Sequence, residues 1–78
     1  MRKKEWKVVI TFKTTTGAMG MEKLCKEEGI SGRLIPVPRQ ITAGCGLAWC
    51  DKLESREVLE KVMSVHNLVY ENIYEMEI

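Results

Sequence analysis

The sequence predicts an α+β sandwich, a ferredoxin-like βαββαβ arrangement with one antiparallel sheet and two helices on one face. Three observations predict it: four short apolar stretches of strand character, two longer segments with helical spacing, and their order along the chain, strand, helix, strand, strand, helix, strand. The 78 residues allow one domain, 1–78, with no internal linker and no low-complexity segment. A chain this short buries only about 60% of its unfolded surface, so its single core has little to spare.

The first strand is read at residues 6–12. In WKVVITF, Trp6, Val8, Ile10 and Phe12 alternate with Lys7, Val9 and Thr11, the period of a strand with one face in the core. The threonines 14–16 follow, and a threonine hydroxyl can accept a bond from a first-turn amide, so a helix is expected over 17–28. Ala18, Met21, Leu24 and Cys25 lie at helical spacing, and Gly29 stands where a left-handed residue ends a helix. Gly17 and Gly20 each weaken that helix by about 1 kcal/mol relative to alanine. GAMG also fits a GxxG pattern of one RNA-binding fold, but it has no basic neighbourhood, so close packing or simple tolerance of glycine is the better reading.

RLIPVP forms a short second strand. Pro36 and Pro38 lack the amide a central strand needs, so this strand is expected at the sheet edge. GLAWC is the third strand. In DKLESREVLEKVMSVHN, Val58, Leu59, Val62, Met63 and His66 share one helical stripe, with Ser55 or Asp51 as candidate caps. NIYEMEI closes the pattern, with Tyr74, Met76 and Ile78 alternating against Glu75 and Glu77.

Composition narrows the function classes. Twelve basic against eleven acidic residues leave a net charge of +1, which is no field for gathering nucleic acid or anionic lipid. Arg2, Lys3 and Lys4 read as a solvated lead-in to the first strand. No apolar run is long enough for a signal peptide or a membrane span, so a soluble, cytoplasmic protein is expected. Three cysteines, an odd number, make a poor disulfide framework and suit a reducing compartment. No Walker loop, dinucleotide fingerprint, hydrolase triad or CxxC pair is present. One His and three scattered Cys are a thin supply for zinc, so neither metal nor cofactor is expected.

Each candidate side chain has a plain structural reading beside a chemical one. His66 suits core packing or an interaction with a helix C-terminus. Cys25, on the apolar stripe of the first helix, suits a small buried hydrophobe. Cys50 suits packing in the third strand, or lies near enough to resolve an oxidised Cys45. Cys45 itself stands between Gly44 and Gly46, which permit positive φ and leave no flanking side chain to cover the sulfur. Arg39 is the nearest cation in sequence, the two glycine amides can form a small anion-binding concavity, and Pro36 and Pro38 restrict the arm before them. Local chemistry leaves Cys45 open between a reactive thiol and a gap-filling loop residue.

Several stretches together resemble the selenium/sulfur carrier-like family of small domains. They are an opening strand ending in Phe12, a threonine-rich turn into a helix carrying Ala18 and Glu22, IPVPR at 35–39 and CGLA at 45–48. Where many relatives have Ser before the motif's small residues, this chain has Thr42, Ala43 and Gly44, so no serine-specific bond carries over. The resemblance implies that Cys45 holds sulfane sulfur or selenium as a persulfide or selenosulfide. It would pass this cargo from a donor such as a cysteine desulfurase to an acceptor enzyme, as a carrier more than as an autonomous catalyst. Arg39 would then stabilise the anion, Gly44 and Gly46 would give the partner access, and Pro38 would fix the loop. Two rivals stand beside it: a thiol redox protein pairing Cys45 with Cys50, and a non-catalytic ferredoxin-like interaction or ligand-binding module, which allows a homodimer through a sheet edge.

Overall fold

The structure, a computed structural model, describes residues 5–41 and 45–78. It is an α+β fold of four antiparallel strands and two helices: β1 (Trp6–Thr11), α1 (Thr15–Glu28), β2 (Arg33–Pro36), β3 (Leu47–Lys52), α2 (Arg56–Val65) and β4 (Asn72–Glu77). The expectations for Arg2, Lys3, Lys4 and Gly44 fall outside the described residues.

The strands lie in the order β2-β3-β1-β4, each antiparallel to its neighbours. β1 is central, with Ile10 opposite Trp49 on one side and Ile73 on the other. Alternation along the strands sends Val8, Ile10 and Trp49 to one face, where they meet Ala18, Met21 and Cys25 of α1 and Leu59 and Met63 of α2 in a single core cluster. Both helices therefore cover the same face of the sheet.

The other face is not simply open to water. Val9 and Thr11 are fully buried; over Val9 this is because Ile41, from the connection after β2, folds onto Val9 and Ala48, and Ile35, Val37, Tyr74 and Met76 pack around them. Trp6, assigned to the core by its alternation, is 57% exposed at the start of β1. The expected one-sided strand is thus buried on both faces in its second half and exposed where it begins.

α1 begins two residues earlier than its glycines suggest, because Thr14 is extended and its Oγ1 accepts from the Gly17 N–H at 3.1 Å. Gly29 ends it at φ 68°, as a left-handed stop requires. The two internal glycines sit against the connection between α2 and β4. A Cβ on Gly20 would lie 3.3 Å from Leu68 Cδ1, and one on Gly17 3.5 Å from the Val69 carbonyl.

β2 pairs only with β3, as its prolines demand, and one further bond, Val37 N–H to the Gly46 carbonyl at 3.0 Å, extends the pairing past Pro36. α2 buries a narrower stripe than its spacing predicts. Leu59 and Met63, one turn apart, are fully covered, while Val58 is 43% exposed and His66 is exposed at the C-cap. Ser55 precedes α2 but does not cap it through its hydroxyl. A single 3-10 turn, Leu53–Ser55, runs straight into the helix, so Ser55 is already helical in backbone and cannot reach forward as an extended cap does. Asp51 is not a cap either, being buried on the helix-facing side of β3.

Candidate functional site

Cys45 lies two residues before β3, at the end of the sheet where β1 gives way to α1, since Thr11 pairs with Ala48 and the Thr14 cap follows three residues on. Its side chain is half-buried against the helix-side core. The sulfur is held by one residue's backbone: the Leu47 N–H donates to Sγ at 3.4 Å, and the thiol is 3.4 Å from the Leu47 carbonyl, which accepts from it.

Gly46 makes this geometry available. Its φ is +77°, it is exposed, and a Cβ there would meet nothing within 4 Å. The glycine is needed for backbone conformation, and its bareness leaves the outer side of Cys45 uncovered. Pro38 and Arg39 lie in a tight turn closed by the Ile41 N–H on the Pro38 carbonyl at 3.0 Å, with Arg39 exposed. No contact joins the Arg39 guanidinium to the Cys45 sulfur among the described residues. Gly44 lies outside the described residues.

The other two thiols sit in different surroundings. Cys25 is wholly buried in the helix-side core, and burial, followed by the nearby negative charge of Asp51, pushes its pKa up to about 11. Cys50 points to the opposite face of the sheet, directly across from Arg33 on β2 and Val9 on β1. Burial raises its pKa and outweighs the opposing pull of Lys7 and Arg33, with Asp51 adding to the rise. The structure does not bring Cys45 and Cys50 together. Cys45 Sγ is anchored at Leu47, three residues and about 10 Å of strand from Cys50, and the two side chains leave opposite faces.

His66 turns away from the core and sits 3.7 Å from the Glu28 carboxylate, bridging the ends of the two helices. Among the described residues no group of three or more His, Cys, Asp or Glu is gathered to hold a metal, and no helix is long and apolar enough to cross a membrane.

Sequence reading missed one buried polar cluster. Asp51 is 5% exposed; its Oδ1 accepts from Ser31 Oγ at 3.0 Å and from the Lys52 N–H at 2.7 Å. Its Oδ2 and the Trp49 indole Nε1, both buried and without a hydrogen-bond partner among the described residues, close on Gly32. The signal was present in AWCD: Trp49 and Asp51 share a strand face, so a core-facing tryptophan implies a core-facing aspartate.

No curated protein and no solved structure matches the chain. Residues 7–75 match the family model described as "Putative Se/S carrier protein-like", a span that includes both helices, all or most of each strand and all three cysteines, and the chain belongs to that family.

Proposed function

We propose that the protein carries sulfane sulfur or selenium on Cys45 between a donor protein and an acceptor protein. The observation that carries this reading is the Cys45 sulfur itself: half-buried, held by the Leu47 amide, and left uncovered by a positive-φ glycine. Family membership supports the cargo class, and the geometry supports the choice of thiol over the buried Cys25.

In the proposed cycle the Cys45 thiolate attacks the outer sulfur of a donor persulfide, such as that of a cysteine desulfurase. A bond forms between Cys45 Sγ and that sulfur, the donor's S–S bond breaks, and the donor cysteine leaves as a thiolate. The transfer is neutral in redox terms and needs no cofactor. An acceptor nucleophile then takes the outer sulfur and returns Cys45 as a thiolate, which the Leu47 N–H stabilises. Arg39, on the exposed turn before the loop, supplies positive charge to an approaching anionic cargo; Pro38 restrains that turn, and Gly44 and Gly46 keep the approach clear.

The finer fold assignment belongs with this proposal. The strand order β2-β3-β1-β4 with antiparallel neighbours supports a ferredoxin-like arrangement of two interleaved βαβ halves. Free thiols at all three cysteines suit a reducing compartment such as the cytoplasm.

Intact-mass analysis of reduced protein, incubated with a cysteine desulfurase and cysteine and then trapped, tests the reading. One added sulfur atom located on Cys45 is the expected result. Unmodified Cys45, or sulfur spread evenly over Cys25 and Cys50, would end it.

A further inference from the structure

The face of the sheet opposite the helices carries a second feature, unrelated to Cys45. A cavity of about 1110 Å³ runs along it, with Cys50 in its wall and the apolar side chains of Ile35 and Ile78 beside it. Its volume is ample for a small organic ligand. Three strands each bring a cation: Lys7 from β1, Arg33 from β2 and Lys52 from β3.

The register concentrates these charges around the thiol. Arg33 stands directly opposite Cys50, and Lys7 directly opposite Lys52 two residues further on, on the same face. Like charges placed across from each other destabilise a strand pair. Two side-chain carboxylates share the cavity wall: Glu5 pairs with Lys7 at 3.3 Å, and Asp51 is buried, its Oδ1 turned onto Ser31 and the Lys52 amide. Arg33 and Lys52 make no ion pair among the described residues. Two uncommitted cations therefore flank a half-buried thiol in a chain whose net charge is only +1.

We propose that this cavity is a binding site for the disulfide of an anionic low-molecular-weight thiol, with its carboxylates on Arg33 and Lys52 and its sulfurs at Cys50, and that Cys50 is a thiol–disulfide exchange site for it. Cys50 gives up its proton to solvent and its sulfur bonds to one sulfur of the ligand. The ligand's S–S bond breaks, and the second half leaves as a thiolate that takes up a proton. The ligand disulfide is the oxidant: Cys50 is oxidised to a mixed disulfide and one ligand half is reduced to its thiol. Nothing in this step requires Cys45, which lies on the other face.

The test compares two probe disulfides on the full chain, oxidised glutathione as the anionic one and cystamine as the cationic one, with the modified cysteine located by peptide mass spectrometry. Cys50 is expected to react with oxidised glutathione at least about tenfold faster than with cystamine, and the advantage shrinks as salt is raised. Arg33→Gln combined with Lys52→Gln brings the two rates within about twofold, and Arg33→Glu reverses the preference. Both positions are exposed, so the variants are expected to fold, and circular dichroism checks this. Equal rates on the unaltered chain, a preference that survives removal of the two charges, or modification at Cys45 in place of Cys50 would each overturn the proposal. A Cys45→Ala chain that still shows the Cys50 preference separates this site from the carrier reading.

Discussion

Cys45 and Cys50 stand on opposite faces of the sheet, with Cys45 Sγ hydrogen-bonded to Leu47 and Cys50 paired across the strand with Arg33. A disulfide needs Cα atoms within about 7 Å and Cβ vectors that converge, so joining these two would require part of β3 to detach. Mild oxidation of the folded protein is expected to give no intramolecular loss of two hydrogens by mass spectrometry. Loading of sulfur onto Cys45 should stay within about twofold in Cys50→Ser, as for independent sites.

Gly32 is held at φ +114°, and a Cβ there would stand 2.8 Å from Asp51 Oδ2, 2.8 Å from Trp49 Nε1 and 2.9 Å from the Cys50 carbonyl. Gly32→Ala is therefore expected to cost roughly 2–4 kcal/mol, combining backbone strain with overpacking of a buried polar cluster. Gly29→Ala, at φ +68° with nothing within 4 Å, should cost only about 1 kcal/mol. Urea denaturation of the two variants side by side measures the difference; equal losses would show that Asp51 and Trp49 yield freely.

Burial raises the Cys25 thiol from 9.0 to about 11, so the unfolded chain loses this proton before the folded one does. Its contribution to stability is complete below about pH 9 and is lost as pH rises towards about 11, by at most about 1.4 kcal/mol per pH unit. Other groups titrate in the same window, so the measurement is the difference in slope between the unaltered chain and Cys25→Ala across pH 8–11 (about three units). A shallower decline in Cys25→Ala is expected. Alkylation at neutral pH should also leave Cys25 unmodified while Cys45 reacts.

Thr14 caps the start of α1 with its side chain, through its bond to the Gly17 amide. Thr14→Ala is expected to lower stability by about 1 kcal/mol, and Thr14→Ser to keep most of it. Thermal unfolding followed by circular dichroism distinguishes the two.

Much of the framework was readable because it depends on single residues with one dominant physical habit. Thr14 accepts a first-turn amide, Gly29 takes a left-handed φ, and Pro36 cannot donate to a ladder, so cap, stop and edge strand follow. Gly46 takes the positive φ that a glycine beside Cys45 permits. What resisted reading depends on pieces distant in the chain. Burial of Val9 needs Ile41 to fold back across the sheet. The cluster of Lys7, Arg33 and Lys52 around Cys50 exists only once three strands are in register, and total charge hides it. Arg39, close to Cys45 along the sequence, sits on a turn with no contact to the sulfur among the described residues.

Ile41, seated on Val9 and Ala48, has a mechanical consequence for any protein that uses Cys45. It pins the chain four residues before the cysteine, and the Val37 bond to Gly46 pins it one residue after. Four residues can stretch at most about 14 Å, and this segment is tethered at both ends, so it is far too short to act as a swinging arm between distant active sites. Under the proposed carrier cycle, a donor and an acceptor would each have to dock at the same end of the sheet, one leaving before the other arrives.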